Sequence, residues 1–382
     1  MPRRERIVGL GSYENEQAMD IEPKELARRY EPKQVREIKP DRQMLCVRIS
    51  PCGKLLAAAS ADGTIRRWNL ADEALPELPP LAGHSGWVTA IAFARKGQRL
   101  VACDSWGAVS CWSYAEETPK QLWLVEQAHD GWIRGLAVSP DGKQIATCGF
   151  DRQVRVWSAE DGKRTNEFSG HQEDVFSVAF HPDGKSLVSG DLKGHVRQWD
   201  LASGQETRKL DCQVLYQLSR LQDVGGVRVL SFNADGSQLA CAGLTPKNGG
   251  NVQGTPTILL FDWASGQLKH TIKVGNDGDA YVYDVHFHAD GFLMAVTSGN
   301  PGTGKLLFIR PGDAQPFYLS TKMPNCHSLA IHPDGRRLVV SATNGGSNGN
   351  GRNLKDGSYP GNWSPLYLLE MPLSEAAGKP AG

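Results

Sequence analysis

Val175-Phe-Ser-Val-Ala-Phe-His-Pro-Asp-Gly-Lys-Ser-Leu-Val-Ser189 is the stretch that decides the fold. Val175–Phe180 alternates in the manner of a half-buried strand. His181-Pro-Asp-Gly184 then turns the chain, and Gly184 supplies the positive φ that a tight turn needs. Ser186–Ser189 is a second strand, so the stretch reads as a hairpin.

Outward from it, the same turn recurs. It appears as Ser50-Pro-Cys-Gly53, Ala94-Arg-Lys-Gly97, Ser139-Pro-Asp-Gly142, Asn233-Ala-Asp-Gly236, His288-Ala-Asp-Gly291 and His332-Pro-Asp-Gly335. The seven glycines lie 44, 45, 42, 52, 55 and 44 residues apart. Repeats in the mid-forties have the length of one four-stranded propeller blade. A third strand in each copy ends on an aromatic residue: Trp68, Trp112, Trp157, Trp199, Phe261 and Phe308, with Leu368 in the seventh copy.

Composition narrows the function. Lys+Arg and Asp+Glu are 42 each, so the net charge is zero. A general nucleic-acid binder or a membrane-surface protein needs a basic excess, and neither partner is expected. No run of about 18 apolar residues spans a bilayer, and Met1–Arg6 leads into polar residues rather than a signal-peptide core. Eight scattered cysteines without a Cys-x-x-Cys pair fit reduced, buried thiols and a cytoplasmic location; Cys103, Cys148 and Cys241 read as small core residues.

The repeat resembles the WD40 family of β-propellers. Gly83-His84, Ala128-His129 and Gly170-His171 stand where that family has its Gly-His pair, and Trp199-Asp200 is the one full Trp-Asp pair. The resemblance covers roughly residues 34–370 and implies an all-β, seven-bladed propeller. It also implies a structural tetrad of His, Ser/Thr, Asp and Trp, complete in the third copy as His129, Thr147, Asp151 and Trp157. In the fourth copy, beside His171, Ser189 and Trp199, Lys193 stands at the expected Asp position; in the second, Trp106 does. The turns resemble those of bacterial members.

A ring must close. The last copy ends near Glu370 with three strands, and Lys33–Lys39 is placed to supply the fourth, which would close the ring with an N-terminal strand. The expected organisation is an extension at 1–32 lying outside the ring, with a short helix at Glu22–Tyr30, then the propeller at 33–370 and a disordered tail at 371–382. Three insertions stand out: before the first strand of copy five, at Leu244–Pro256, and at Thr343–Trp363. In the resembling family such connections open on one face, the top, and insertions crowded on one face often mark a binding surface.

Signals of chemistry are weak. Gly299-Asn-Pro-Gly-Thr-Gly-Lys305 matches a phosphate-binding loop except that Leu306 replaces the Ser or Thr, and a strand rather than a helix follows. His286-Phe-His288 puts two imidazoles on one strand face with no further ligands by spacing. No cofactor, metal or catalytic set is expected, and Asn362-Trp-Ser364 reads as an accidental glycosylation match.

The positive signal is the top face. Eight positions before each turn glycine lie Leu45, Thr89, Arg134, Phe176, Arg228, Tyr283 and His327, expected at the mouth of the central channel. Two positions earlier come Gln43, Trp87, Trp132, Asp174, Gly226, Tyr281 and Asn325, and Phe150 and Leu192 approach the same rim. Exposed aromatic residues and arginines are the usual anchors of an interface. The reading is a non-catalytic scaffold that binds an acidic or phosphorylated peptide or protein on the top face. Its partner residues are Trp87, Trp132, Arg134, Phe150, Phe176, Arg228, Tyr281, Tyr283 and His327. A hydrolase or lyase using the channel, and an accessory or sensor subunit of a larger assembly, are the alternatives.

Overall fold

The hairpin at Gly184 forms with Val175–Phe180 pairing antiparallel to Ser186–Asp191, and His195–Asp200 and Glu206–Asp211 complete a four-stranded sheet. In the computed structural model this unit repeats as seven antiparallel sheets arranged as a seven-bladed propeller. The described residues are 21–116, 118–219, 221–247, 254–299, 304–323, 325–343 and 363–372. Most of the Thr343–Trp363 insertion, the centre of Leu244–Pro256, the middle of the Gly299–Lys305 loop, Asn362 and nearly all of the 371–382 tail lie outside them.

Blades cohere by burying apolar side chains between neighbouring sheets. One apolar cluster fills each blade interface, from Ile65, Leu81 and Ile91 between blades one and two round to Met44, Trp68, Val339 and Leu366 between seven and one. Each fully buried aliphatic or aromatic side chain contributes about 1.5–3 kcal/mol, so these clusters carry the ring. The seam closes in register: Lys33–Ile38 pairs antiparallel with Leu366–Glu370, Lys33 opposite Glu370 and Ile38 opposite Leu366.

The opposite, turn-bearing face has its own ties. His181, His288 and His332 begin three of the turns, and each donates from Nε2 to the carbonyl oxygen of the next blade's turn glycine. The acceptors are Gly236, Gly335 and Gly53, all at 3.1 Å. Gly53 has φ +73°, and a Cβ there would sit 2.3 Å from His332 Nε2, so only glycine fits. His286 donates from Nε2 to Leu329 O across the same interface. Both members of the His286/His288 pair are thus engaged with blade seven.

The helix Pro23–Tyr30 packs against blade six rather than standing apart from the ring. Leu26 is buried, Tyr30 meets Phe292 at 4.8 Å and Phe317 at 6.4 Å between ring centroids, and the Tyr30 hydroxyl donates to Asp290 Oδ2 at 2.6 Å. No helix among the described residues is long and apolar enough to cross a membrane.

Candidate functional site

A β-bulge recurs near the start of the first strand in five blades. The ladder skips from Met44 to Cys46, from Val88 to Ala90, from Ile133 to Gly135, from Val175 to Ser177 and from Val282 to Asp284. The skipped residues are Leu45, Thr89, Arg134, Phe176 and Tyr283. A bulge frees one residue from pairing and re-aims its side chain. Arg228 and His327 hold the same place just before the first ladder pair of blades five and seven. All seven line one central cavity of about 470 Å³.

Around its mouth the rings touch in sequence. Trp87 meets Trp132 edge-on at 5.6 Å, Trp132 stacks on Phe150 at 5.9 Å, and Phe150 meets Phe176 at 6.3 Å. Arg228 continues the chain, its guanidinium 3.8 Å from the Phe176 centroid and 4.5 Å from that of Tyr281. Tyr281 then meets Tyr283, and Tyr283 meets His327 edge-on at 5.4 Å. Arg134 lies 5.4–5.7 Å from Trp132, Phe150 and Phe176 together. Trp87 and Phe150 remain 49% and 39% exposed, so that end of the arc is surface, whereas Phe176 and Tyr281 are buried. Trp106, 69% exposed, lies with its indole beside Gly86, next in sequence to Trp87.

The insertion before blade five is a hairpin, Tyr216–Ser219 with Gln222–Gly225. It fastens Arg228: Arg228 Nε donates to Gly225 O at 2.9 Å, and Gly225 N–H and Arg228 Nη2 both donate to the Tyr281 hydroxyl at 3.3 Å. Leu218 and Leu221 of the hairpin are exposed.

Charge is distributed in layers. Neither Arg134 nor Arg228 forms an ion pair among the described residues. Burial, with Arg228 nearby, lowers the pKa of Arg134. Asp174 is the acid that acts on both guanidiniums at longer range, and burial raises its carboxyl pKa. His327 is pushed down to about 4 by burial and is neutral at pH 7; its Nε2 has no hydrogen-bond partner among the described residues. Deeper in the cavity, Arg48 Nη1 meets Asp284 Oδ2 at 3.2 Å, and Asp284 also accepts from Ser328 Oγ and Leu329 N at 3.1 Å. That lower cation is neutralised, whereas the upper two are not.

The other chemical signals resolve into structure. In blade three the buried indole of Trp157 donates to Thr147 Oγ1 at 2.8 Å. That hydroxyl bonds His129 Nε2 at 2.8 Å, and His129 Nδ1 meets Asp151 Oδ1 at 2.9 Å. Blade four is complete as well, a correction to the expected Lys193: the carboxylate is Asp191, 2.8 Å from His171 Nδ1, with Ser189 and Trp199 in place. Lys193 pairs with Glu173 instead. Blade two corrects the expected Trp106 likewise, with Asp104 on His84 Nδ1 and Ser110 between His84 and Trp112. Asp104 and Asp191 close their second strands, two residues before the turn position that Asp151 holds, and their carboxylates reach the same imidazole nitrogen. Each row has a hydroxyl, an imidazole and a carboxylate, but the hydroxyl already holds an indole N–H and is fully buried, so no substrate carbonyl reaches it. Gly304 and Lys305 begin a strand, and Lys305 pairs with Asp279. No cluster of metal-ligating side chains occurs among the described residues.

A family model described as WD domain, G-beta repeat matches residues 33–69, 77–113, 121–158 and 162–200. These spans run from the closing strand through blades one to four. Blades five to seven lie outside them, and there the tetrad gives way to apolar packing. The chain thus carries four WD40 repeats within a closed β-propeller of seven four-stranded sheets.

Proposed function

We propose that the protein is a non-catalytic scaffold that binds a peptide or protein segment across the top face. The observation that carries this reading is the arc of rings from Trp87 to His327, bridged between Phe176 and Tyr281 by Arg228, open to solvent at Trp87 and Phe150 and carrying two guanidiniums without ion pairs among the described residues. Buried aromatic and arginine anchors dominate interface energetics, and a rigid arc held by bulges is ready to receive them from a partner. Two cations with no ion-pair partner among the described residues select a segment that brings negative charge, acidic or phosphorylated. The hydroxyl–imidazole rows that would serve an enzyme are sealed inside the blades. Affinity capture with the intact chain beside a Trp87→Ala/Trp132→Ala variant tests the reading. Specific partners should be those lost from the variant, and an identical captured set would move the binding surface off this face.

A further inference from the structure

The position of the two arginines says what kind of anion enters. Arg134 follows Trp132 by two residues across the bulge, so its guanidinium lies deeper than the indole, by no more than the 5.4 Å that separates it from the ring centroid. A peptide lying on the shelf at Trp87, Trp132 and Phe150 therefore holds its main chain well above the cations. Its Asp or Glu side chains would have to pass between the rings that Arg134 lies against to bring a carboxylate down to both cations. A chain end is not limited in this way, because two extended residues reach about 7 Å.

The cavity is small. Its volume of about 470 Å³ lies in the range of small-ligand pockets, roughly 300–1,000 Å³. A loop must pass in and out through the same mouth, whereas a terminus passes once. Arg134 and Arg228 both stand against the ring of Phe176, and His327, whose Nε2 has no hydrogen-bond partner among the described residues, lines the same cavity from blade seven. Arg228 is held in place from behind by Gly225 O, which leaves part of its donor fork for a ligand. Apolar walls continue below, at Leu136, Val178 and Leu230. Arg48, the next cation down, is already matched by Asp284, so the channel offers one uncompensated layer. Two like charges held without a counter-ion in a half-buried site are costly, and a carboxylate between them relieves that cost.

We infer that the channel mouth receives the C-terminal end of a partner chain, its α-carboxylate held between Arg134 and Arg228 and its last apolar side chain against the aromatic wall. This rests on the top-face reading above and narrows it to a chain end. Asp174 at the rim competes weakly for the same cations, which favours a carboxylate that penetrates below it.

The test compares two random heptapeptide display libraries on the intact protein. One library ends in a free carboxylate; the other carries the same heptapeptides followed by a Gly-Ser linker and the display protein. Enrichment confined to the free-ended library is the expected result. Enrichment in both libraries, or only in the linked one, overturns the chain-end inference and leaves the scaffold reading standing. No enrichment in either overturns both. A selected peptide made as the C-terminal amide should bind on the order of 10–100-fold more weakly than the acid, the cost of losing hydrogen bonds to charged donors. Arg134→Gln and Arg228→Gln should each weaken the acid and shrink that difference, at unchanged thermal midpoint. Equal binding of acid and amide to the native protein refutes the inference and needs no variant to fold. Preference for an internal phosphoserine peptide over the free-ended acid does so too.

Discussion

His332 in the last blade and Gly53 in the first are 279 residues apart in sequence, yet the imidazole Nε2 of one donates to the carbonyl oxygen of the other at 3.1 Å. The bond crosses the seam on the face opposite the aromatic arc, while Lys33–Ile38 closes it at the outer edge. His332→Ala removes the donor and leaves a carbonyl short of a partner, so it should cost about 1–3 kcal/mol in urea unfolding. Gly53→Ala should cost at least as much, because the added Cβ meets the ring and the backbone is left-handed. His332→Ala should weaken the effect of Gly53→Ala, since the clash partner is gone; strict additivity of the two would contradict the contact.

Closure makes a second prediction. Deleting residues 1–32 removes the Leu26 and Tyr30 packing on blade six. Deleting 1–40 also removes the outer strand of blade seven and exposes the edge of Leu366–Glu370. The shorter deletion should lower the thermal midpoint modestly and the longer one severely, with aggregation. Equal midpoints would mean that the strand contributes nothing to closure.

The fold was legible because its signal repeats: a turn glycine with an alternating strand on each side seven times, and a terminal aromatic in six of the seven copies. The tetrads of blades two and four were not, because position was equated with role. Asp104 and Asp191 both lie eight residues before their Trp, whereas Asp151 lies six before Trp157. A carboxylate at the strand end and one in the turn reach the same Nδ1, so the chemistry tolerates either. The ring of channel residues was placed correctly by counting from the glycine. Its lower neighbours Arg48 and Asp284 were missed. Strict alternation sends Tyr283 and Asp284 to opposite faces, and the bulge between Val282 and Asp284 lets both line the cavity.

A third prediction follows from those tetrads. Asp151→Ala and Asp191→Ala each strand a buried imidazole N–H and should destabilise by about 1–3 kcal/mol. Lys193→Ala should stay within about 0.5 kcal/mol, since an exposed pair with Glu173 is worth little. Chemical denaturation of the three variants decides it, and a large loss from Lys193→Ala would be inconsistent with Asp191 as the working carboxylate.

A fourth concerns pH. His327 has its folded pKa depressed to about 4, against an ordinary value near 6.5, by burial in the cavity wall. Between those values the unfolded chain binds the extra proton, so stability falls as pH drops through this window and is level above it. The contribution is on the order of 3 kcal/mol across the window. His327→Phe should flatten the decline of the thermal midpoint between pH 6.5 and 4.5. His129 and His171, also depressed by burial, keep a residual slope. An unchanged profile would place His327 in water.

The bulge that opens each first strand has one more consequence. Because Leu45, Thr89, Arg134, Phe176 and Tyr283 sit outside the ladder, their side chains can change without altering any cross-strand partner. With Arg228 and His327 they make seven places around one opening, and five kinds of side chain are represented there: aliphatic, hydroxyl, cation, aryl and imidazole. Tolerance to mutation and choice of ligand are thereby uncoupled. A library randomised at these seven positions alone should yield folded propellers in high proportion, each with a different key for the same lock.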